Sequence, residues 1–206
     1  MAKRQSRGAE SKRRPGRRPG QSNQIRIIGG VHGGRKLRFP DHAGLRPTSD
    51  RVRETLFNWL MPVLPGASCL DLFSGSGALG LESASRGAGR VVMLDSAPGV
   101  VRQLRENCTL LGLENVTVEQ ANAVNWLDGP GEPFGVVFLD PPFADDLLGA
   151  CCEKLEANGW LGQDARIYIE MDAHKRLPTL PANWQLLREK EAGQVAFFLF
   201  SRTFEA

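Results

Sequence analysis

From Gly66 onward, short runs that are apolar at every position alternate with segments whose apolar residues recur at helical spacing. Val91-Val92-Met93-Leu94 and Gly135-Val136-Val137-Phe138-Leu139 have no polar position, as expected of parallel strands covered on both faces. The pattern predicts strands over Ser68–Leu72, Arg90–Leu94, Val116–Glu119, Phe134–Leu139 and Arg166–Glu170. Helices are expected between them, over Ala78–Arg86, Pro98–Leu111 and Asp145–Glu156. The rhythm changes at the end, where Trp184–Lys190 and Val195–Arg202 flank Ala192-Gly193. That arrangement predicts an antiparallel hairpin closing one edge of the sheet.

Upstream of the alternating region the pattern is different. Val52, Leu56, Trp59 and Leu60 recur at helical spacing, with Thr48 or Ser49 as N-cap and Pro62 beyond the end. Before that helix, Gln24–Ile28 and Gly33–Phe39 read as two short strands around glycine pairs, a small ribbon carrying Arg26, Arg35, Lys36 and Arg38. Residues 1–22 hold no large apolar side chain beyond Met1 and are expected to be disordered when alone. The chain therefore divides into a basic tail (1–22), a β-hairpin (23–45) and an α/β domain (46–206), with no internal repeat.

Charge sharpens this division. Residues 1–20 carry eight Lys/Arg and one acid, and residues 21–53 carry seven basic and two acidic residues. Residues 54–206 carry 11 basic and 20 acidic residues, so the overall charge of +3 conceals a cationic arm on an acidic body. Such asymmetry favours a polyanionic partner and salt-sensitive binding. The polar N-terminus has no signal-peptide core and no apolar run is long enough to span a bilayer, so a cytoplasmic protein is expected. Cys69, Cys108, Cys151 and Cys152 show no metal-ligand spacing and are expected to be reduced, with no metal site. His32, His42 and His174 read as surface residues, and Trp160 and Trp184 as packing groups.

Two segments carry chemistry. Gly75, Gly77 and Gly80 form a GxGxxG between a strand and a helix, a spacing that nicotinamide, flavin and S-adenosylmethionine enzymes share. Asp95, ending the next strand, suits a ribose diol in any of them. Asp71 favours S-adenosylmethionine: a carboxylate beside the loop repels a pyrophosphate and attracts the ammonium of a methionine moiety. The second segment is Asp140-Pro141-Pro142-Phe143 at the end of a strand, bordering the ligand crevice of such a sheet. The prolines fix the backbone and remove two donors, leaving the Asp140 carboxylate and the Pro141 carbonyl as acceptors for an aromatic amine. Phe143 can stack on the base, and Asp140 is expected to be ionised near neutral pH. Together the segments point to methyl transfer onto an exocyclic amino group of a nucleic-acid base.

These segments resemble class I methyltransferases. Further stretches resemble the bacterial 16S rRNA guanine-N2 methyltransferase D family: Ile25–Gly30, Gly34–Leu37, Leu45–Leu60, Gly75–Glu82, Asn158–Leu161 and Pro181–Trp184. The resemblance spans residues 24–202 and implies a Rossmann-like, mostly parallel seven-stranded sheet with an antiparallel C-terminal hairpin. It implies methylation of N2 of a guanine (family position 966) in 16S rRNA within a small-subunit particle. Carried onto this chain, Asp71, Phe73, Ser74, Gly75, Gly77, Asp95, Ser96, Asn122, Ala123 and Asp140 would bind the cofactor. Asn122 stands where many relatives of the class have Asp, yet it keeps a polar group there. Asp140, Pro141, Pro142 and Phe143 would hold the guanine. Arg26, Arg35, Lys36, Arg38, Arg46, Thr48, Arg51 and Arg53 would contact RNA, and a monomer is the default expectation. Alternatives are a DNA adenine or cytosine amino-methyltransferase, a protein-glutamine methyltransferase, a non-catalytic ribosome-assembly factor and a dehydrogenase.

Overall fold

The structure is a computed structural model and describes residues 23–40, 48–142 and 147–203. The first strands, β1 (Asn23–Arg26) and β2 (Lys36–Phe39), pair antiparallel as a two-stranded ribbon. Their alternation is strict: Ile25, Leu37 and Phe39 are buried and Gln24, Arg26, Lys36 and Arg38 are exposed. Helix α1 (Asp50–Leu60) follows, and Ser49 is its N-cap, its hydroxyl accepting from the Val52 amide at 3.3 Å.

The main sheet is built from β3 (Ser68–Asp71), α2 (Gly80–Ser85), β4 (Arg90–Asp95), α3 (Pro98–Leu111), β5 (Val116–Gln120), α4 (Ala123–Trp126), β6 (Phe134–Leu139), α5 (Leu148–Ala157) and β7 (Leu161–Asp172). The closing hairpin is β8 (Trp184–Ala192) and β9 (Val195–Arg202). Strand order is β5-β4-β3-β6-β7-β9-β8, with β5 to β7 parallel and β9 antiparallel to both neighbours. This is the Rossmann-like architecture expected, with the hairpin's second strand inserted between β7 and β8.

One layer of core lies between the sheet and α1, α2, α3 and the ribbon, centred on Phe57, Val91, Met93, Phe138, Tyr168 and Phe197. The opposite face packs Val92, Val137 and Ile167 against α5, with Trp160 and Trp184 buried as packing groups. The chain reverses direction across the sheet at β3, since its successors lie on one side and β6 on the other. Loops leaving β3, β4 and β6 at their carboxyl ends therefore face one crevice.

Three elements differ from the sequence reading. α2 begins at Gly80, two residues late, because the turn through Gly77 occupies the preceding positions. α4 went unpredicted; it is one turn long, too short for apolar periodicity to register. β7 begins at Leu161 rather than Arg166, because Phe134 pairs with Leu161 before the register shifts and resumes at Val136 and Arg166. The expectations for residues 1–22 and 41–45, and for the helix start at Asp145, fall outside the described residues.

The ribbon is bound tightly to the main domain. Glu82 on α2, fully buried, accepts from the amides of Ile28 (2.7 Å) and Gly29 (2.8 Å) and from Arg86 Nε (2.6 Å). Ser85 continues the grip: its hydroxyl donates to the Gly29 carbonyl at 2.6 Å, and its own carbonyl accepts from Val31 at 2.8 Å. Gly30 has φ of 76°, and a Cβ there would stand 1.8 Å from the Ser85 carbonyl oxygen, so only glycine fits.

Candidate active site

Three adjacent strands end in acids on one face of the sheet. Cys69 and Asp71 on β3, Phe138 and Asp140 at the end of β6, and Tyr168 and Glu170 on β7 alternate onto the face that packs Phe57 and Phe197. The register pairs Asp71 with Phe138 and Leu139 with Ile169, which sets Asp140 and Glu170 side by side, one step beyond Asp71.

Asp71 is 1% exposed. Its Oδ2 accepts from the Gly80 amide at 3.0 Å, while Oδ1 is buried with no hydrogen-bond partner among the described residues. Burial raises its carboxyl to about 7; the Gly80 amide opposes the rise and the Asp95 charge adds to it. The loop after Asp71 turns at Ser74, whose hydroxyl donates to the Asp71 carbonyl at 3.1 Å and whose own carbonyl accepts from Gly77 at 2.7 Å. Gly77 has φ of 81°, and a Cβ there would strike Leu104 and Leu81 at 2.7 and 2.8 Å, so the glycine spacing is a packing requirement as well.

Asp95 ends β4 and spans two loops: Oδ2 accepts from Gly75 at 3.0 Å and Oδ1 from Ala97 at 2.8 Å. Ser96 follows it, exposed, and its carbonyl accepts from Gln120 at 3.5 Å. Asn122 caps α4, its Oδ1 accepting from the Asn125 amide at 3.1 Å, and Ala123 beside it is buried. Phe73 is half-buried at the loop. The sequence-predicted cofactor residues thus gather at the carboxyl ends of β3, β4, β5 and β6.

Asp140 stands at the end of β6, with Pro141 buried and Pro142 exposed after it. Its Oδ2 accepts from the Thr48 hydroxyl at 3.2 Å, a contact across 92 positions that ties the segment before α1 to the strand end. The side chain keeps a partial opening to solvent. Burial nevertheless drives its carboxyl well above the usual range, Glu170 and Asp71 push it further, and the Thr48 hydrogen bond pulls it back. The expectation of a readily ionised Asp140 is therefore corrected: its neighbours are acids, and the sequence did not show how closely the sheet gathers them. Phe143 and Arg46 lie outside the described residues.

Glu170 was not singled out in the sequence. It is 4% exposed, and Tyr168 donates its hydroxyl to Oε2 at 2.8 Å. The signal was present, since Arg166-Ile167-Tyr168-Ile169-Glu170 puts an acid in register with a tyrosine on an otherwise apolar strand face, at the carboxyl end.

Among the cationic residues, Arg35, Lys36, Arg38 and Arg51 are exposed. Arg26 is exposed and pairs with Asp50 at 3.2 Å, an open ion pair of little energetic weight. Arg53 departs from the expected RNA contact. It is 1% exposed, pairs with Asp50 at 2.6 Å and Glu82 at 3.6 Å, and donates to the Arg26 carbonyl at 2.9 Å. Only its Nη2 group makes hydrogen bonds; Nε and Nη1 are buried without a hydrogen-bond partner among the described residues, Nη1 lying 3.6 Å from Glu82, so the guanidinium faces the interior rather than solvent. Thr48 is likewise buried, on Asp140.

All four cysteines are buried and unpaired, and burial pushes the Cys69 and Cys152 thiols up to about 12, far from a reactive thiolate. His32 is half-buried and His174 exposed; His42 lies outside the described residues. No group of His, Cys, Asp and Glu suited to a metal occurs among the described residues, and none of their helices is long and apolar enough to cross a membrane.

Comparison with known proteins agrees with this geometry. Residues 25–201 match the family model Conserved hypothetical protein 95. Over 181 residues the chain is 53% identical to the ribosomal RNA small subunit methyltransferase D of Escherichia coli, covering 88% of this chain and 91% of that one. The solved structure of yhhF, a candidate methyltransferase from Escherichia coli, superposes with a TM-score of 0.83 at 50% identity, covering 88% of this chain and 99% of that one. At 16% identity, an RNA methyltransferase of Salinibacter ruber solved with S-adenosyl-L-homocysteine shares the fold, with a TM-score of 0.60 over 78% of this chain and 96% of that one. The chain belongs to the Conserved hypothetical protein 95 family, that of the ribosomal RNA small subunit methyltransferase D proteins.

Proposed function

We propose that the protein transfers a methyl group from S-adenosylmethionine to N2 of a guanine in 16S rRNA, the family position 966, within a small-subunit ribosomal particle. The observation that carries this reading is the placement of Asp140-Pro141-Pro142 beside Asp71 and the glycine loop on one sheet face. The relatives' assignment to small-subunit rRNA supplies the substrate.

The residues fit the cofactor. The buried Oδ1 of Asp71, without a hydrogen-bond partner among the described residues, is a ready acceptor for an ammonium. Phe73, Ser74, Gly75 and Gly77 would line the methionine end, Asp95 and Ser96 the ribose, and Asn122 and Ala123 the adenine. When bound, the cofactor supplies the methyl group on a sulfonium. Asp140 and the Pro141 carbonyl hold the two amine hydrogens of the base, which aims the nitrogen lone pair and stabilises positive charge as it develops. Phe143 is assigned to stacking on the base. Arg26, Arg35, Lys36 and Arg38 on the ribbon, with Arg46 and Arg51, would contact phosphates, while Arg53 and Thr48 hold the structure that presents them.

The test incubates the protein with methyl-labelled S-adenosylmethionine and unmodified small ribosomal particles, naked rRNA or duplex DNA. Digestion and mass spectrometry then identify the product. N2-methylguanosine, abolished by Asp140→Ala, is expected. Methylated adenine or cytosine would overturn the substrate and retain the chemistry.

A further inference from the structure

Amine methylation leaves a proton to be disposed of. The nitrogen lone pair forms the new N–C bond while the C–S bond breaks and its electron pair stays on sulfur. The nitrogen, now positively charged, must then shed one of its two hydrogens as a proton. Asp140 is the nearest acceptor in the proposed arrangement, so its own protonation state limits the step from both sides. It must be ionised to receive the amine, and basic enough to take the proton.

What surrounds Asp140 is therefore decisive. Facing it from β3 is Asp71, with Asp95 behind on β4; from β7 come Glu170 and Tyr168; from the segment before α1, Thr48. Among the described residues no cation faces it. Arg53, the nearest buried one on α1, is committed to Asp50 and Glu82. The flanking strand β9 presents Phe197 opposite Glu170, and Phe57 of α1 closes on Phe138. Glu170, 4% exposed, accepts from the Tyr168 hydroxyl and is set beside Asp140 by the β6–β7 register. Burial, with the Glu170 and Asp140 charges, makes the Tyr168 hydroxyl hard to ionise and so keeps it a donor to the Glu170 carboxyl.

We propose that Glu170, braced by Tyr168, is a positioning residue that sets the pH range over which Asp140 accepts the target amine and its departing proton. Two carboxyls held this way titrate as a pair, with one proton held more tightly than either acid would hold it alone. The inference rests on the methyltransferase reading for its catalytic half, but its electrostatic half concerns this chain alone.

The experiment has two arms on the full-length protein. The first labels aspartate carboxyl carbons with carbon-13 and follows the Asp140 resonance with pH in the cofactor-free protein, assigned by its loss in Asp140→Asn. The second measures the pH dependence of kcat/KM for rRNA methylation. In Glu170→Gln the Asp140 midpoint is expected to fall by about one pH unit, a tenfold change in ionised fraction at fixed pH, and the acid limb of kcat/KM to move with it. Glu170→Asp, which keeps the charge, should leave both near the wild-type positions. Should Glu170→Gln not fold, Tyr168→Phe removes the donor to Glu170 and is expected to move both readings the same way by a smaller amount. An Asp140 midpoint unmoved in these variants overturns the proposal, as does an acid limb that stays put while activity drops uniformly. If the wild-type protein methylates no RNA, the function reading falls, and the carbon-13 titration alone decides whether Glu170 governs Asp140.

Discussion

Replacing Glu82 by Gln tests whether the ribbon is held by one buried carboxylate. In the structure that carboxylate accepts two backbone amides and Arg86, and it neutralises buried Arg53. Gln is the same size but has one acceptor oxygen, so its NH2 group must face either the Ile28 or the Gly29 amide, donor against donor. An unsatisfied buried donor costs about 1–3 kcal/mol. Breaking a buried ion pair by removing one partner costs about 3–5 kcal/mol. These overlap, because both describe the same lost carboxylate, so a loss of about 3–5 kcal/mol is the reasoned figure, set against a total stability of about 5–15 kcal/mol. The variant should still fold at room temperature. Urea unfolding monitored by circular dichroism reads the total loss. Amide hydrogen exchange locates it, with protection expected to fall first at residues 25–39, where the ribbon meets the core, and only later in β3, β4 and β6. An unchanged urea midpoint, or ribbon amides as protected as in the wild type, would refute the clamp and return Arg53 to the list of RNA contacts.

Asp140→Ala is expected to lower methyl transfer by about a hundredfold or more, a larger effect than on cofactor affinity measured by calorimetry. Because the Asp71 carboxyl lies at about 7, S-adenosylmethionine should bind about tenfold more weakly per unit of pH below that value and level off above it, whereas Asp71→Asn should bind weakly at every pH. The same group makes a stability prediction. A carboxyl whose folded value is raised stabilises the fold at low pH and loses that contribution as pH rises from about 4 to about 7, so this group should make the melting temperature of the ligand-free protein decline over that range and contribute no further slope above it, and Asp71→Asn should flatten the decline. Lys36→Ala and Arg38→Ala should each reduce the slope of log affinity for rRNA against log salt by about one, while Arg53→Ala should act through stability instead.

The strand-helix alternation, the closing hairpin and the ribbon were legible because each has its own hydrophobic period, and burial on two faces, one face or one stripe leaves a distinct trace. The placement of Asp71, Gly75, Gly77, Asp95 and Asp140 was legible for another reason: chain position at or just beyond the carboxyl end of a strand specifies at which end of the sheet a residue stands. What stayed hidden depends on register between segments far apart in sequence. Nothing local says that Leu139 lies beside Ile169, and so nothing said that Asp140 has Glu170 for a neighbour. Arg53 was misread for the same reason, since it looks like one more exposed cation of a basic cluster until Glu82, 29 positions later, is folded against it.

That hidden register also gathers acids at one sheet face of a protein proposed to act on RNA. Asp71, Asp140 and Glu170 stand on adjoining strands, and burial together with the Glu170 and Asp71 charges makes Asp140 hard to ionise, as burial and the Asp95 charge do for Asp71. Such a crevice is poorly suited to an anion and well suited to a ligand that brings an ammonium and a sulfonium, with an amine that becomes positive during transfer. The ribbon's exposed cations lie on a different element, one clamped by α2. Arg86, at 2.6 Å, and the buried Arg53, at 3.6 Å, balance Glu82 inside the clamp, so the ribbon docks on an acidic body through a compensated contact. Binding of the cationic cofactor should therefore expel protons from the acid row, and calorimetry in buffers of different ionisation enthalpy should register their release near pH 7.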